Sequence, residues 1–216
     1  MKQVLSFTAR LLVLLLLLAG AGAARADTPI ALWKSFDGRV NFTGTQATLR
    51  TSSNGSGYPC EVSASGTDRF ATLTLPANAV VLSAQLYWAG SGTPDSTVSF
   101  NGVQVSAERK YSSTTSGGLD YFGGAADVTA AVKTKGGGSY KFSGLSVSNG
   151  SPWCAPQGVL GGFSLLVVYS LASEPERVLN IYEGFQRLQN GSLTLNASNF
   201  RWDSNTLPVQ EKARIG

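Results

Sequence analysis

Thr97-Val98-Ser99-Phe100-Asn101-Gly102-Val103-Gln104-Val105-Ser106 decides the fold class. Two short runs of alternating apolar and polar residues flank Asn101-Gly102. Asn-Gly takes the positive φ angles of a two-residue type I′ turn, whose twist matches the strands it joins. The stretch therefore predicts an antiparallel hairpin. Alternation puts Val98 and Phe100 on one face, which continues through Val103 and Val105.

Similar runs lie on both sides, each rich in β-branched or aromatic residues and bounded by Gly, Asn, Ser or Pro. That punctuation marks strands. Ile30–Phe36, Arg39–Thr43 and Thr45–Thr51 come first. In Phe70–Leu75, Ala71, Leu73 and Leu75 face one way and Thr72 and Thr74 the other. In Val80–Ala89, Val80, Leu82, Ala84, Leu86 and Trp88 form the predicted core face, opposite Ser83, Gln85 and Tyr87. After the hairpin, Tyr140–Val147, Gly162–Ser170, Arg177–Glu183, Ser192–Asn196 and Asn199–Trp202 read as strands. The unbroken apolar run in Gly162–Ser170 suits a strand buried on both faces. Asp127–Val132 is the one short helical turn, with Asp127 as its cap. No sustained helical period follows the first residues. About ten to twelve short strands predict an all-β fold, an antiparallel sandwich or jelly roll.

Composition narrows the chemistry. The 216 residues include no His, which excludes Ser-His-Asp and Cys-His nucleophile systems and His-ligated metals. Two Cys are too few for a four-cysteine zinc site or an Fe–S cluster. Residues 1–26 read as a secretory leader. Lys2 and Arg10 open it, Leu11–Leu18 is its apolar run, and Ala24-Arg25-Ala26 its cleavage site. The apolar run is too short for a transmembrane anchor. Removing the leader takes Lys2, Arg10 and Arg25 from 17 basic residues and none of 13 acids, leaving 14 against 13. So small an excess gives no support to nucleic acid as a partner. Residues 27–216 form one expected domain, because no linker-like segment interrupts them. Val209–Ile215 reads as the start of another strand or linker, so a longer parent chain stays open.

Cys60 and Cys154 are expected to form a disulfide, the usual state of two cysteines in an exported chain. The bridge would close a loop of roughly 95 residues and stabilise by about 4–5 kcal/mol on the chain-entropy model. No CxxC motif suggests redox work. Trp33, Tyr58, Tyr111, Tyr121, Trp153 and Trp202 lie in or near expected loops. Tyr58, Tyr111 and Trp153 are the candidates for stacking on a sugar, and a bridge would bring Tyr58 and Trp153 together. The alternative is ordinary loop packing.

Carboxylates offer less. Glu108, Glu174, Glu176 and Glu183 read as solvated acids, and no spacing nominates the facing pair a glycosidase needs. The Asp positions never form an EF-hand series. No cofactor is expected, although a structural calcium held by loop carbonyls and one or two Asp stays open. The pairs Gly117-Gly118 and Gly123-Gly124 and the run Gly136–Gly138 lack a phosphate-loop pattern and read as flexible turns.

Ordered motifs resemble a known family. Leu32-Trp33-Lys34-Ser35-Phe36 and Leu49-Arg50-Thr51-Ser52-Ser53-Asn54 are similar to the opening of a domain in bacterial exported, adhesin-like conserved-repeat surface proteins. So are Ala84-Gln85-Leu86-Tyr87-Trp88-Ala89-Gly90, Val98-Ser99-Phe100-Asn101-Gly102, Ala126-Asp127-Val128-Thr129, Val167-Val168-Tyr169 and Asn180-Ile181-Tyr182-Glu183-Gly184-Phe185-Gln186. The likeness spans about residues 30–204. It implies a secreted or surface β module, often followed by immunoglobulin-like repeats, and supplies no catalytic residues. The Asp-Val-Thr turn, the Leu-Tyr-Trp strand and the Asn-Gly hairpin are also similar to the galactose-binding-like jelly roll, over about residues 70–148.

The expectation is thus a non-catalytic secreted or cell-surface β-sandwich with a structural or adhesive role. Its partner would be a protein or glycan on a surface. The alternative is a carbohydrate-binding module that uses loop aromatics. A hydrolase is the least favoured reading.

Overall fold

Eleven strands and one short helix run in order through the described residues: β1 (Thr28–Gly38), β2 (Val40–Thr48), β3 (Arg69–Leu73), β4 (Val80–Ser91), β5 (Thr97–Phe100), β6 (Val103–Ser106), β7 (Arg109–Thr114), β8 (Asp120–Asp127), α1 (Thr129–Lys135), β9 (Gly138–Ser143), β10 (Gly161–Ser170) and β11 (Arg177–Phe185). The structure is a computed structural model describing residues 27–52, 60–63, 65–154, 158–188 and 192–195. The expected leader, Tyr58, and the strand expected at Asn199–Trp202 lie outside them.

The chain is an all-β antiparallel sandwich. One sheet has the order β2-β10-β4-β8-β7 and the other β3-β9-β5-β6. Between them lies the core. Leu86 and Trp88 of β4, Phe163, Leu165 and Val167 of β10, and Phe122 and Ala126 of β8 meet Leu73, Val98, Phe100, Tyr140 and Phe142 of the opposite sheet. The ring of Phe100 lies 5.3 Å from Tyr140 and 5.6 Å from Phe142, and Phe142 lies 5.5 Å from Phe163. Burying each such side chain contributes about 1.5–3 kcal/mol, the main force joining the sheets.

A third, two-stranded layer of β1 and β11 covers the other face of the five-stranded sheet. It continues the β2–β10 ladder, which pairs Val40 with Ser170, while β1–β11 pairs Gly38 with Arg177. The chain bends between them at Gly38, whose φ of 117° suits only glycine. The Arg39 guanidinium holds the return loop by donating to the carbonyls of Ala172 and Glu174.

The Asn-Gly hairpin forms with Val98 opposite Val105 and Phe100 opposite Val103. Val98 and Phe100 are buried and Val105 is partly covered, but Val103 is exposed because β6 is an edge strand. The expected face of β4 needs correction. Val168 pairs with Ser83 and Tyr169 with Val81, so Leu82 is an extra residue, a β-bulge. The alternation slips there. Val81 joins the core, whereas Val80 and Leu82 stay exposed at 60% and 37%.

Other boundaries also differ. Arg39–Thr51 holds one strand, not two, because Gly44 continues the ladder opposite Leu166. Ser192–Leu195 is described without a strand. The helix starts one residue later than the expected cap implies, behind Val128, and Asp127 bonds the Thr129 N–H from one position further out. Strands β7 and β8 are additional to the expected set. Gly123-Gly124 is therefore no flexible turn but part of a central strand. A Cβ at Gly124 would run into the indole of Trp88, and one at Gly123 would come within 3.3 Å of the Phe185 ring.

Candidate functional site

A polar cluster sits between the five-stranded sheet and the β1–β11 layer. Strand parity places Gln85 and Tyr87 of β4, and Arg109 and Tyr111 of β7, on the face away from the core. Glu183 of β11 points into them, and its side chain is only 7% exposed. The expectation of a solvated acid fails for this residue, since its side chain lies between its own layer and the five-stranded sheet.

Each Glu183 oxygen accepts two hydrogen bonds. Oε1 takes the Tyr87 hydroxyl at 2.5 Å and Arg109 Nη2 at 3.0 Å. Oε2 takes Arg109 Nε at 2.7 Å and the Tyr111 hydroxyl at 2.8 Å. The planar guanidinium fits the carboxylate bidentately. Arg109 Nη2 also reaches Gln85 Oε1 at 2.8 Å, and its Cζ lies 4.4 Å from the Trp33 ring. Gln85 Nε2 donates to Asp127 Oδ2 and Ser83 Oγ, extending the network.

Burial, then the hydrogen bond to Glu183 and its charge, push the Tyr111 hydroxyl up to about 12. The same causes push Tyr87 further up. Both phenols therefore stay protonated donors. Burial alone would draw Arg109 down, but the Glu183 bond and charge outweigh it and raise the guanidinium. Burial would likewise raise Asp127; bonds from Thr129 and Gln85 and the charge of Lys34 bring it below the usual carboxylate value. A carboxylate offers about four acceptor sites, and Glu183 has all of them filled. The chemistry here is that of a clamp.

The disulfide forms between Cys60 and Cys154, with Cα atoms 5.1 Å apart. Beside it the Trp153 Nε1–H donates to the Asp120 carbonyl at 3.0 Å. The Tyr121 hydroxyl donates to the Gly158 carbonyl, whose own N–H bonds Trp153 O. Of the three stacking candidates, Trp153 packs against the core, and Tyr111 stacks 6.3 Å from Phe185 while bonding Glu183. Tyr58 lies outside the described residues. Trp33, Tyr111 and Tyr121 lie in strands rather than loops. Among the described residues, no three Cys, Asp or Glu gather as a metal would require. No helix among them is long and apolar enough to cross a membrane.

A second surface lies on the outer face of the four-stranded sheet. Phe70 stands opposite Lys141 and is 65% exposed. An open depression of about 470 Å³ is lined by Phe70, Asn101, Gly102, Lys135, Ser139 and Lys141. Asn101 is latched to β9, because its N–H donates to Lys141 O and its Oδ1 accepts from Lys141 N. Sequence reading passed over Phe70 as a strand-opening residue. The signal was its position on the polar side of an otherwise alternating strand. Arg109 was missed because nothing local shows its partner 74 residues away.

No curated protein and no solved structure matches the chain. The family model described as protein of unknown function (DUF3344) matches residues 25–207, most of the sequence, and the chain therefore belongs to the DUF3344 family.

Proposed function

We propose that the chain is a non-catalytic module of the cell exterior, exported by a leader at residues 1–26, with a structural or adhesive role. The observation that carries this reading is the fastening of the fold. A disulfide ties two loops 94 residues apart, and one buried carboxylate on β11 bonds donors from β4 and β7, fastening the outer layer to the five-stranded sheet. Disulfides persist in oxidising compartments, and a clamped sandwich resists the unfolding that surface proteins meet. The likeness of the Leu-Tyr-Trp, Asn-Gly and Asp-Val-Thr motifs to exported, adhesin-like proteins points the same way. So does the internal use of Tyr111 and Trp153, which favours a structural role for them over sugar stacking. The partner on this reading is a protein or glycan on a neighbouring surface.

Protease treatment of intact cells, followed by peptide mass spectrometry, tests the location. Release of peptides from residues 27–216, with an N-terminus at Asp27, is expected. Recovery only from the cell interior, with the leader attached, refutes it. Cells lacking the chain should attach to surfaces less well or lose envelope integrity; unchanged behaviour in both assays removes the role.

A further inference from the structure

We infer that the Phe70 depression is a binding site for an acidic saccharide, a chain of uronic-acid type. The inference rests on the exterior location proposed above but not on the residues first expected to stack. Phe70 offers a flat apolar ring on an open sheet face, at 65% exposure and beside no apolar partner of its own on that strand pair. Sugars present C–H faces that lie on such rings, as nucleic-acid bases lie on aromatic platforms. Around the ring, Ser139 and Asn101 supply hydroxyl and amide groups suited to sugar hydroxyls. Asn101 is held by two backbone bonds to β9, so its side chain is already placed.

The charge decides the class. Two basic residues, Lys135 and Lys141, line the depression. Lys141 pairs with Asp68 at 2.7 Å, and both partners are substantially exposed. Lys135 lies 5.4 Å from the Tyr140 ring, and among the described residues it forms no ion pair. A surface ion pair contributes little, so a ligand carboxylate can displace Asp68 from Lys141 at small cost. A neutral sugar would leave the positive excess unmatched. A hydrophobic ligand would find too open a site to be removed from water.

Calorimetry on residues 27–216 tests the site, with oligogalacturonate as probe. Neutral oligogalactose and a polyglutamate of equal charge are the comparisons. Oligogalacturonate should bind at least tenfold more tightly than either. Phe70→Ala should weaken it about tenfold, and Lys135→Ala with Lys141→Ala should weaken it and flatten its salt dependence. Equal binding of polyglutamate would show simple ion exchange and overturn the inference. Equal binding of oligogalactose, or no binding by any probe, would also overturn it. A chain found on the cell surface that binds no uronate removes this site and leaves the proposed location standing. Circular dichroism of each variant checks folding, which an exposed ring should not affect.

Discussion

Replacing Glu183 by Ala should loosen the outer β layer from the sandwich. The change removes the acceptor of two Arg109 bonds, one Tyr87 bond and one Tyr111 bond. Breaking a buried ion pair by deleting one partner costs about 3–5 kcal/mol. Arg109 keeps its bond to Gln85 and its contact with Trp33, and its side chain is 21% exposed. Those contacts place the loss at the low end, about 3 kcal/mol. This is a large share of the roughly 5–15 kcal/mol that holds a domain together. It corresponds to a fall in Tm of about 6–12 °C for a chain of this size. Glu183→Gln should not rescue it. Each oxygen faces two donors, so the amide NH2 opposes two donors in either orientation. Urea unfolding followed by tryptophan fluorescence measures the effect, with Glu176→Ala as an exposed control. A Glu183→Ala midpoint equal to that control would refute the clamp. In a double-mutant cycle, Arg109→Ala combined with Glu183→Ala should cost less than the two singles added together.

Alkali should destabilise the same interface. Tyr111 is raised to about 12 and Tyr87 further, so the folded state holds protons that the unfolded state releases near 10. Stability is full below pH 10 and falls as pH rises through 10 to 12. Urea midpoints at pH 9, 10 and 11, with absorbance at 295 nm, should show the fall, and Tyr111→Phe should reduce it; a flat profile sinks the assignment. Reducing Cys60–Cys154 should cost about 4–5 kcal/mol on the chain-entropy model, seen as a lower Tm with reductant. Gly124→Ala should cost about 1–3 kcal/mol by forcing the Trp88 indole from its place, measurable by the same urea titration. Phe70→Ala should stay within about 0.5 kcal/mol of the parent, because the ring is exposed and its role is on the surface.

The hairpin at Asn101-Gly102 was legible because turn chemistry and period-two alternation both act within ten residues. The core positions Ala84, Leu86 and Trp88 were legible from the same alternation, and Phe163, Leu165 and Val167 from the unbroken apolar run that holds them. Strand β8 escaped notice because its Gly-Gly pair looks like a turn. Only the indole of Trp88 lying across Gly124 explains why the side chain must be absent there. The slip at Leu82 escaped as well, since a bulge is defined by the partner strand and not by the strand that carries it.

Local alternation and turn residues were enough to specify an antiparallel all-β chain, because both act between neighbours in the sequence, and the absence of histidine excluded histidine-based chemistry by composition alone. The third layer, the filling of Glu183 by donors from two other strands, and the exposure of Phe70 depend on how the sheets stack. The Glu183 bonds join residues 72 to 96 positions apart and the β1–β11 pairs residues 139 to 157 apart, and no pattern within a single strand encodes the partner it will meet.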